Sequence, residues 1–396
     1  MKFANRVLQV SPSATLALST KAKKMMAQGV DVINLGVGEP DFHTPAHIKQ
    51  AAIQAIKDGK SDFYTPASGI LPLKQAICSR LQQDFGVAYQ PNQIAVTVGG
   101  KFSLYVLAQV LLDPGDEVLI PLPYWVSYGE QVKLAGGKPA FVYPDENGHV
   151  SVKQLEAKRT AKTRAVIINS PQNPSGLIYT RQELTAIGNW AVEHDVLLIA
   201  DDMYGKLVYN GNHFTSLIEL GDRIRQQTIL VSGLSKAYAM TGWRVGYTAG
   251  SAELIAKMSI ILSHATSNIA AVSQYAALAA LSGDQSVVET MRQAFEKRLN
   301  TIYPELLALP GFELSQKPEG AFYLFPKVKK AVELTGFKST EDFTTAILEE
   351  AHVAIVAGTA FGMPEHVRLS YATDLASLQE ALRRIKNFIE EHANRG

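Results

Sequence analysis

Three short stretches of this chain gather side chains that can do chemistry. In GLSKAYAMTGWRVGY (233–247), Lys236 sits among small and apolar residues, beside glycines, Ser235 and a tryptophan. Apolar surroundings disfavour the charged ammonium, so the pKa of such an amine falls and it can act as nucleophile or base. DDMY (201–204) sets two carboxylates and the phenol of Tyr204 directly after an apolar run. Paired acids can bind a metal or work as acid and base, yet no histidine or third acid stands near them in sequence, and one of the two can simply face solvent. In VTVGGK (96–101), Gly99 and Gly100 let backbone N–H groups approach an anion where a helix begins, and the helix dipole suits a phosphate there. Alone, the same glycines make an ordinary helix-starting turn.

These stretches need a frame that brings them together. Ile94–Val98, Glu117–Ile120, Ala165–Asn169, Val196–Ala200 and Thr228–Ser232 are short apolar runs that read as buried strands. Helical sequence alternates with them. Thr44 as N-cap and Pro45 in the first turn open an amphipathic helix that stops at Gly59, Lys101–Leu112 forms another, and Thr180 with Glu183 makes a capping box before a third. The alternation predicts an α/β fold with a mostly parallel sheet covered on both faces. In such a sheet ligands bind beyond the carboxyl ends of the strands, which is where GGK, DDMY and the Lys236 loop all fall. After about residue 285 the texture changes to charged helical sequence, then GAFYLFPKV (320–328) and a final helix near 375–392, which reads as a second, smaller α+β lobe.

Composition excludes several function classes. The 38 basic and 37 acidic residues nearly cancel, so no nucleic-acid-binding surface or acidic tail is announced. There is no GxxxxGK[ST] loop and no GxGxxG between a strand and a helix, so any phosphate belongs to something smaller than a dinucleotide. No stretch reaches the roughly 18 apolar residues of a membrane span. Cys78 is the only cysteine, which leaves no internal disulfide and suits a reducing compartment; its helical setting reads as packing. A soluble, cytoplasmic protein acting on small molecules is the expectation.

The ordered motifs PSAT (12–15), LGVGEPDF (35–42), YTPASG (64–69), VTVGGK, PYWVSY (123–128), NPSG (173–176), DDMY, SKAYAMTGWRVGY (235–247) and VRLSYA (367–372) run nearly end to end. Together they resemble the class I aminotransferases of fold type I, particularly the bacterial aspartate aminotransferase branch. The resemblance implies a large domain over 48–287, with a mostly parallel seven-stranded sheet flanked by helices. Both termini, 1–47 and 288–396, would form the smaller domain. It also implies pyridoxal 5'-phosphate (PLP) held as a Schiff base on Lys236, which then shuttles a proton at the substrate α-carbon.

By the same resemblance Asp201 pairs with the pyridine nitrogen, with Asp202 a bystander, and Tyr204 and Asn173 bond the phenolic oxygen. Asn173–Pro174 is expected to be cis, and Trp125 to stack on the ring. Gly99, Gly100, Lys101, Ser235 and Arg244 would complete the cofactor site, with Tyr64 reaching in from the partner of a homodimer. Several relatives carry a phosphate-binding serine where this chain has Gly233, which leaves Ser235 ahead of Ser232 for that part. No metal is implied.

For substrate, Arg368 matches the family arginine that grips the α-carboxylate as a fork, with Gly38 and Asn173 beside it and Trp125 against the bound amino acid. Lys101 occupies the position that reaches a distal carboxylate in this branch, and Thr15 is the second candidate near the side chain. The implied reaction is L-aspartate plus 2-oxoglutarate giving oxaloacetate plus L-glutamate, by a ping-pong mechanism. Aromatic amino acids, alanine or prephenate are the alternative donors; Ser11, where prephenate-using relatives tend to be basic, lowers that last option. Ala357 replaces a proline common in relatives. A PLP-dependent carbon–sulfur lyase on the same fold is a further alternative, and a PLP-sensing DNA-binding regulator is disfavoured by the absence of a basic stripe.

Overall fold

Twelve strands are formed among the residues described by this computed structural model, 1–145 and 148–394. In chain order they are β1 (Ile33–Asn34), β2 (Ile94–Val98), β3 (Glu117–Pro121), β4 (Lys138–Val142), β5 (Thr163–Asn169) and β6 (Leu197–Asp201). Then follow β7 (Thr228–Gly233), β8 (Val245–Ala249), β9 (Tyr323–Leu324), β10 (Val353–Ala354), β11 (Val356–Ala357) and β12 (Val367–Ser370). Seven of them make one sheet in the order β2-β8-β7-β6-β5-β3-β4. Only β8 runs against the others, antiparallel to both β2 and β7.

Both faces of this sheet are covered, which is why its strands read as unbroken apolar runs. Along β5, Val166 and Ile168 enter one core while Ala165 and Ile167 enter the other, and Leu198 and Ile199 divide the same way on β6. Asn169 pairs with Asp201, so the ends of β5 and β6 lie level, while Asp201 pairs with Val231 and β7 runs on to Gly233. The sequence reading missed β4 and β8. β4 (KPAFV) carries a lysine and a proline, and β8 lies inside the motif read as a ligand loop. Gly246 on β8 is a close-approach residue: a Cβ there would lie 2.2 Å from the backbone nitrogen of Gly100.

The helix starts are partly as expected. Before the helix Arg181–Glu193, Thr180 Oγ1 accepts from the Glu183 N–H at 3.2 Å and the Glu183 carboxylate accepts from the Thr180 N–H at 2.7 Å, a complete capping box. Thr44 does not cap the helix Ala46–Lys57. Its hydroxyl instead donates to the Ala239 carbonyl at 2.6 Å and accepts from Trp243 Nε1 at 3.0 Å, tying this segment to the Lys236 loop.

A second core lies outside the large sheet. Antiparallel β11-β12-β9 and the parallel pair β1-β10 pack with the helices Ser286–Leu307, Thr340–Glu350 and Leu375–Ala393 around Phe295, Phe322, Phe343 and Ile385. Helix Ser286–Leu307 touches both cores: Val288 belongs to the first, Met291 and Phe295 to the second. Among the described residues no helix is long and apolar enough to cross a membrane.

The contact at Gly246 yields a stability test. Gly246→Ala should cost at least about 2 kcal/mol in chemical denaturation, because backbone rather than a flexible side chain must give way. Gly242→Ala, with nothing within 4 Å of the added carbon, serves as the control.

Candidate active site

Beyond the carboxyl ends of β5, β6 and β7, and under β12, lies a cavity of about 300 Å³. Thr15, Gly38, Gly100, Lys101, Trp125, Asn173, Asp201, Tyr204, Ser235, Lys236, Arg244 and Arg368 all line it. The structure thus brings together residues more than 350 positions apart. Tyr64 is not in this group. It stands 90% exposed beside Phe63, which is 82% exposed.

Lys236 Nζ donates to the Gly38 carbonyl oxygen at 2.6 Å. Burial lowers its pKa to about 8; Glu39 opposes that shift, and the nearby charges of Arg368, Arg244 and Lys101 reinforce it. Roughly a tenth of such amines are unprotonated at pH 7. Asp201, at the end of β6, is buried and accepts from Tyr128 Oη at 2.6 Å and from the Met203 N–H at 3.3 Å. Burial raises its pKa above the ordinary carboxylate value, against the pull of those hydrogen bonds and of Lys236.

The second acid of DDMY does not face solvent. Alternation along the extended chain turns Asp202 to the opposite side, where it is 7% exposed and accepts from Ser216 Oγ at 2.5 Å. Burial, with Asp201 and Glu219 adding to it, pushes its pKa up to about 8. Ser232 lines a separate cavity with Asp202, whereas Ser235 lines the cleft.

Arg368, on β12, is 3% exposed. Its guanidinium donates to Asn173 Oδ1 at 3.0 Å and to the Gly36 carbonyl at 2.8 Å, and lies 4.6 Å from the Tyr323 ring centre. Its Nε is buried with no hydrogen-bond partner among the described residues, so this fork retains a donor that those residues leave unmet. Asn169 shapes the turn beneath: its Oδ1 accepts from the Asn173 N–H at 2.8 Å and its Nδ2 donates to the Asp201 carbonyl at 2.9 Å. The Asn173–Pro174 bond is cis, and so are Leu122–Pro123 and Ser170–Pro171.

At the other end of the cleft Gly99 has φ +77° and Arg244 φ +57°. Positive φ is uncommon for a non-glycine residue. A Cβ on Gly99 would lie 2.6 Å from an Arg244 guanidinium nitrogen, so the arginine uses the space that glycine leaves. Arg244 itself is exposed and donates to two carbonyls, those of Thr241 and Val98. The Lys101 ammonium lies 4.9 Å from the Trp125 ring centre.

Three side chains that line the cleft escaped the sequence reading: Tyr128, Asn169 and Tyr323. Tyr128 and Tyr323 stand inside quoted motifs, but nothing in their spacing shows which acid or phenol they meet. Asn169, as the last residue of an apolar run, carried the strand-end signal used for its neighbours.

This geometry sets a lysine amine of depressed basicity, a buried carboxylate and a buried guanidinium around one cleft. The family model described as "Aminotransferase class I and II" matches residues 30–385. The chain is 53% identical to the asparagine–oxo-acid transaminase of Streptococcus mutans, over 98% of this chain and 100% of that protein. It is 51% identical to the aspartate aminotransferase of Bacillus subtilis, over 99% of this chain and 100% of that one. The crystal structure of the Rhizobium meliloti aspartate aminotransferase superposes with a TM-score of 0.93 at 39% identity, covering 98% of this chain and 99% of that one. The chain belongs to the class I and II aminotransferases. It is a PLP-dependent aminotransferase of fold type I, similar over its full length to bacterial aspartate aminotransferases.

In protein prepared free of cofactor, a lysine-directed acylating reagent should label Lys236 at a rate that rises through a midpoint near pH 8, far below the ordinary 10.5. A labelling midpoint above 10, read by peptide mass spectrometry, would overturn the depressed basicity.

Proposed function

We propose that this enzyme transfers the amino group of L-aspartate to 2-oxoglutarate, with Lys236 as its catalytic residue and the cleft residues dividing the work around PLP. The cleft fits that group: Gly99 and Gly100 leave a cradle that a Cβ would fill, Arg244 borders it, and the buried Asp201 lies deeper. When bound, the cofactor supplies a ring that takes up electrons from the substrate α-carbon and carries the amino group between the two substrates.

The protein's part is binding, orientation and proton movement. Lys236 would hold the cofactor through its amine and, when that amine is free, would take the proton from the substrate α-carbon and return one later. The Asp201 carboxylate, held by Tyr128, would pair with the cofactor's pyridine nitrogen and favour its protonated form. Tyr204 and Asn173 would bond the ring oxygen, and Trp125 would cover the ring face and keep water from it. Gly99, Gly100, Lys101, Ser235 and Arg244 would surround the phosphate. Arg368, with Gly38, Asn173 and Trp125 beside it, receives the substrate α-carboxylate.

One observation carries the choice of a dicarboxylic substrate. The Lys101 ammonium lies in the cleft wall against the indole of Trp125 with no acidic partner among the described residues. Arg368 and Lys101 together offer two cations to two carboxylates. Asparagine is the second donor to test. Thr15 lines the same cleft, with its hydroxyl 3.0 Å from that of Ser13, and a hydroxyl can accept from an amide as well as donate to a carboxylate.

We also propose a homodimer in which Tyr64 reaches the partner's phosphate site; exposed Tyr64, Phe63, Ile53, Ile56 and Leu71 support such a face. The two cores support a division into a large domain over 48–287 and a smaller one from 1–47 and 288–396. A cytoplasmic location suits the single cysteine.

Lys101→Ala should lower kcat/KM for aspartate by about 10- to 100-fold, the loss of a charge-assisted contact, and leave alanine nearly unchanged. Initial rates with aspartate, asparagine, alanine, phenylalanine and prephenate decide this. Unchanged preference for aspartate would refute the role of Lys101, and ammonia released from aspartate alone would point to a lyase.

A further inference from the structure

Two buried phenols meet at the edge of the cleft. Tyr204 follows β6, Tyr323 lies on β9, and their hydroxyl oxygens are 2.8 Å apart. They are 5% and 1% exposed. Tyr323 is held on several sides: the Arg368 guanidinium lies over its ring, and the Phe322 ring packs with centroids 4.8 Å apart. A Cβ on Gly38 would come 2.5 Å from its hydroxyl, so the backbone of that loop packs close beside it. These contacts hold the Tyr323 hydroxyl against that of Tyr204.

We propose that Tyr323 is a positioning residue that donates its hydrogen to Tyr204 and thereby aims the hydrogen of Tyr204 at the ring oxygen of the cofactor. The inference rests on the reading of Tyr204 given above. Its basis is a count of hydrogens. Each phenol owns one, and each oxygen can also accept. If Tyr204 spends its hydrogen on the ring oxygen, the 2.8 Å contact can be made only by the hydrogen of Tyr323. Burial raises the Tyr323 pKa further above its ordinary 10, so that hydrogen is retained around neutral pH. Two hydrogen bonds in series polarise one another in a water-poor site, and the terminal donor becomes stronger.

A donor at the ring oxygen stabilises the form that has lost the proton shared by that oxygen and the Lys236 nitrogen. Weakening the donor therefore raises the pH at which that proton leaves. Tyr323→Phe removes only the hydroxyl and keeps the ring beneath Arg368, so the grip on the substrate carboxylate is retained.

The test is a pH titration of the cofactor's visible absorbance in the loaded enzyme, without substrate. Tyr204→Phe is expected to raise the midpoint. Tyr323→Phe should raise it by less, a roughly two- to tenfold drop in the proton-dissociation constant. The double variant should match Tyr204→Phe alone, because the effect of Tyr323 runs through Tyr204. 3-Fluorotyrosine at position 323, a more acidic donor that keeps the hydroxyl, should move the midpoint down and serves also if Tyr323→Phe fails to fold. A midpoint moved by Tyr204→Phe but untouched by both changes at 323 overturns the role of Tyr323. Additive shifts in the double variant overturn the relay. A midpoint unmoved by Tyr204→Phe itself refutes the assignment of Tyr204, and the inference falls with it.

Discussion

Confined positive charge is the constraint on which this structure turns. Lys236, Arg368, Arg244 and Lys101 line one cavity of about 300 Å³, and Asp201 is the buried carboxylate among them. Arg368 is buried and Lys236 half-buried, while Lys101 and Arg244 stand at the solvent side. Cations gathered this closely repel one another, the inner two also lose solvation, and a chain gains nothing from such an arrangement by itself. Burial depresses the basicity of Lys236, with Arg368, Arg244 and Lys101 reinforcing it, and the Nε of Arg368 has no hydrogen-bond partner among the described residues. An anionic cofactor and a carboxylate substrate supply the missing charge, so binding completes what folding leaves unbalanced.

Holding that arrangement requires parts far apart in sequence. The ends of β5 and β6 place Asn169 and Asp201 level, and Asn169 then fixes the turn that presents Asn173 to Arg368. Arg368 comes from the second core, on a strand of the smaller sheet. Gly246 and Gly100 press backbone against backbone, which sets the mouth of the glycine turn. Tyr128 and Tyr323 stand behind Asp201 and Tyr204, each meeting the hydroxyl or carboxylate in front of it.

What the sequence revealed follows from the range of the interactions involved. Strands buried on both faces announce themselves as apolar runs, and side chains that follow such runs lie at one sheet edge, so Asp201, Gly100 and Lys236 were legible with the fold class. β4 and β8 were not, because Lys138, Pro139 and Gly246 are acceptable in those strands only through their neighbours. The same limit applies to polar partners. Thr44 has the local signature of an N-cap, yet a carbonyl and an indole nearly 200 positions away outbid the helix end. Asp202 looked dispensable beside Asp201, but Ser216 gives it a buried partner on the far face. The resemblance supplied Arg368 and Trp125, which residue type and spacing alone do not single out.

The segment Gly36–Val37–Gly38 touches both ends of the chemistry. The carbonyl of Gly36 accepts from Arg368, and that of Gly38 accepts from Lys236. Two residues of extended chain span about 7 Å. This stretch acts as a ruler between the group proposed to clamp a carboxylate and the amine proposed to work on the adjoining carbon, and it measures only what all α-amino acids have in common. Lys101 and Thr15 lie off that ruler. Selection can therefore change which side chain is welcomed without disturbing the spacing on which the amine depends, and relatives that share this frame are free to bear different substrate names.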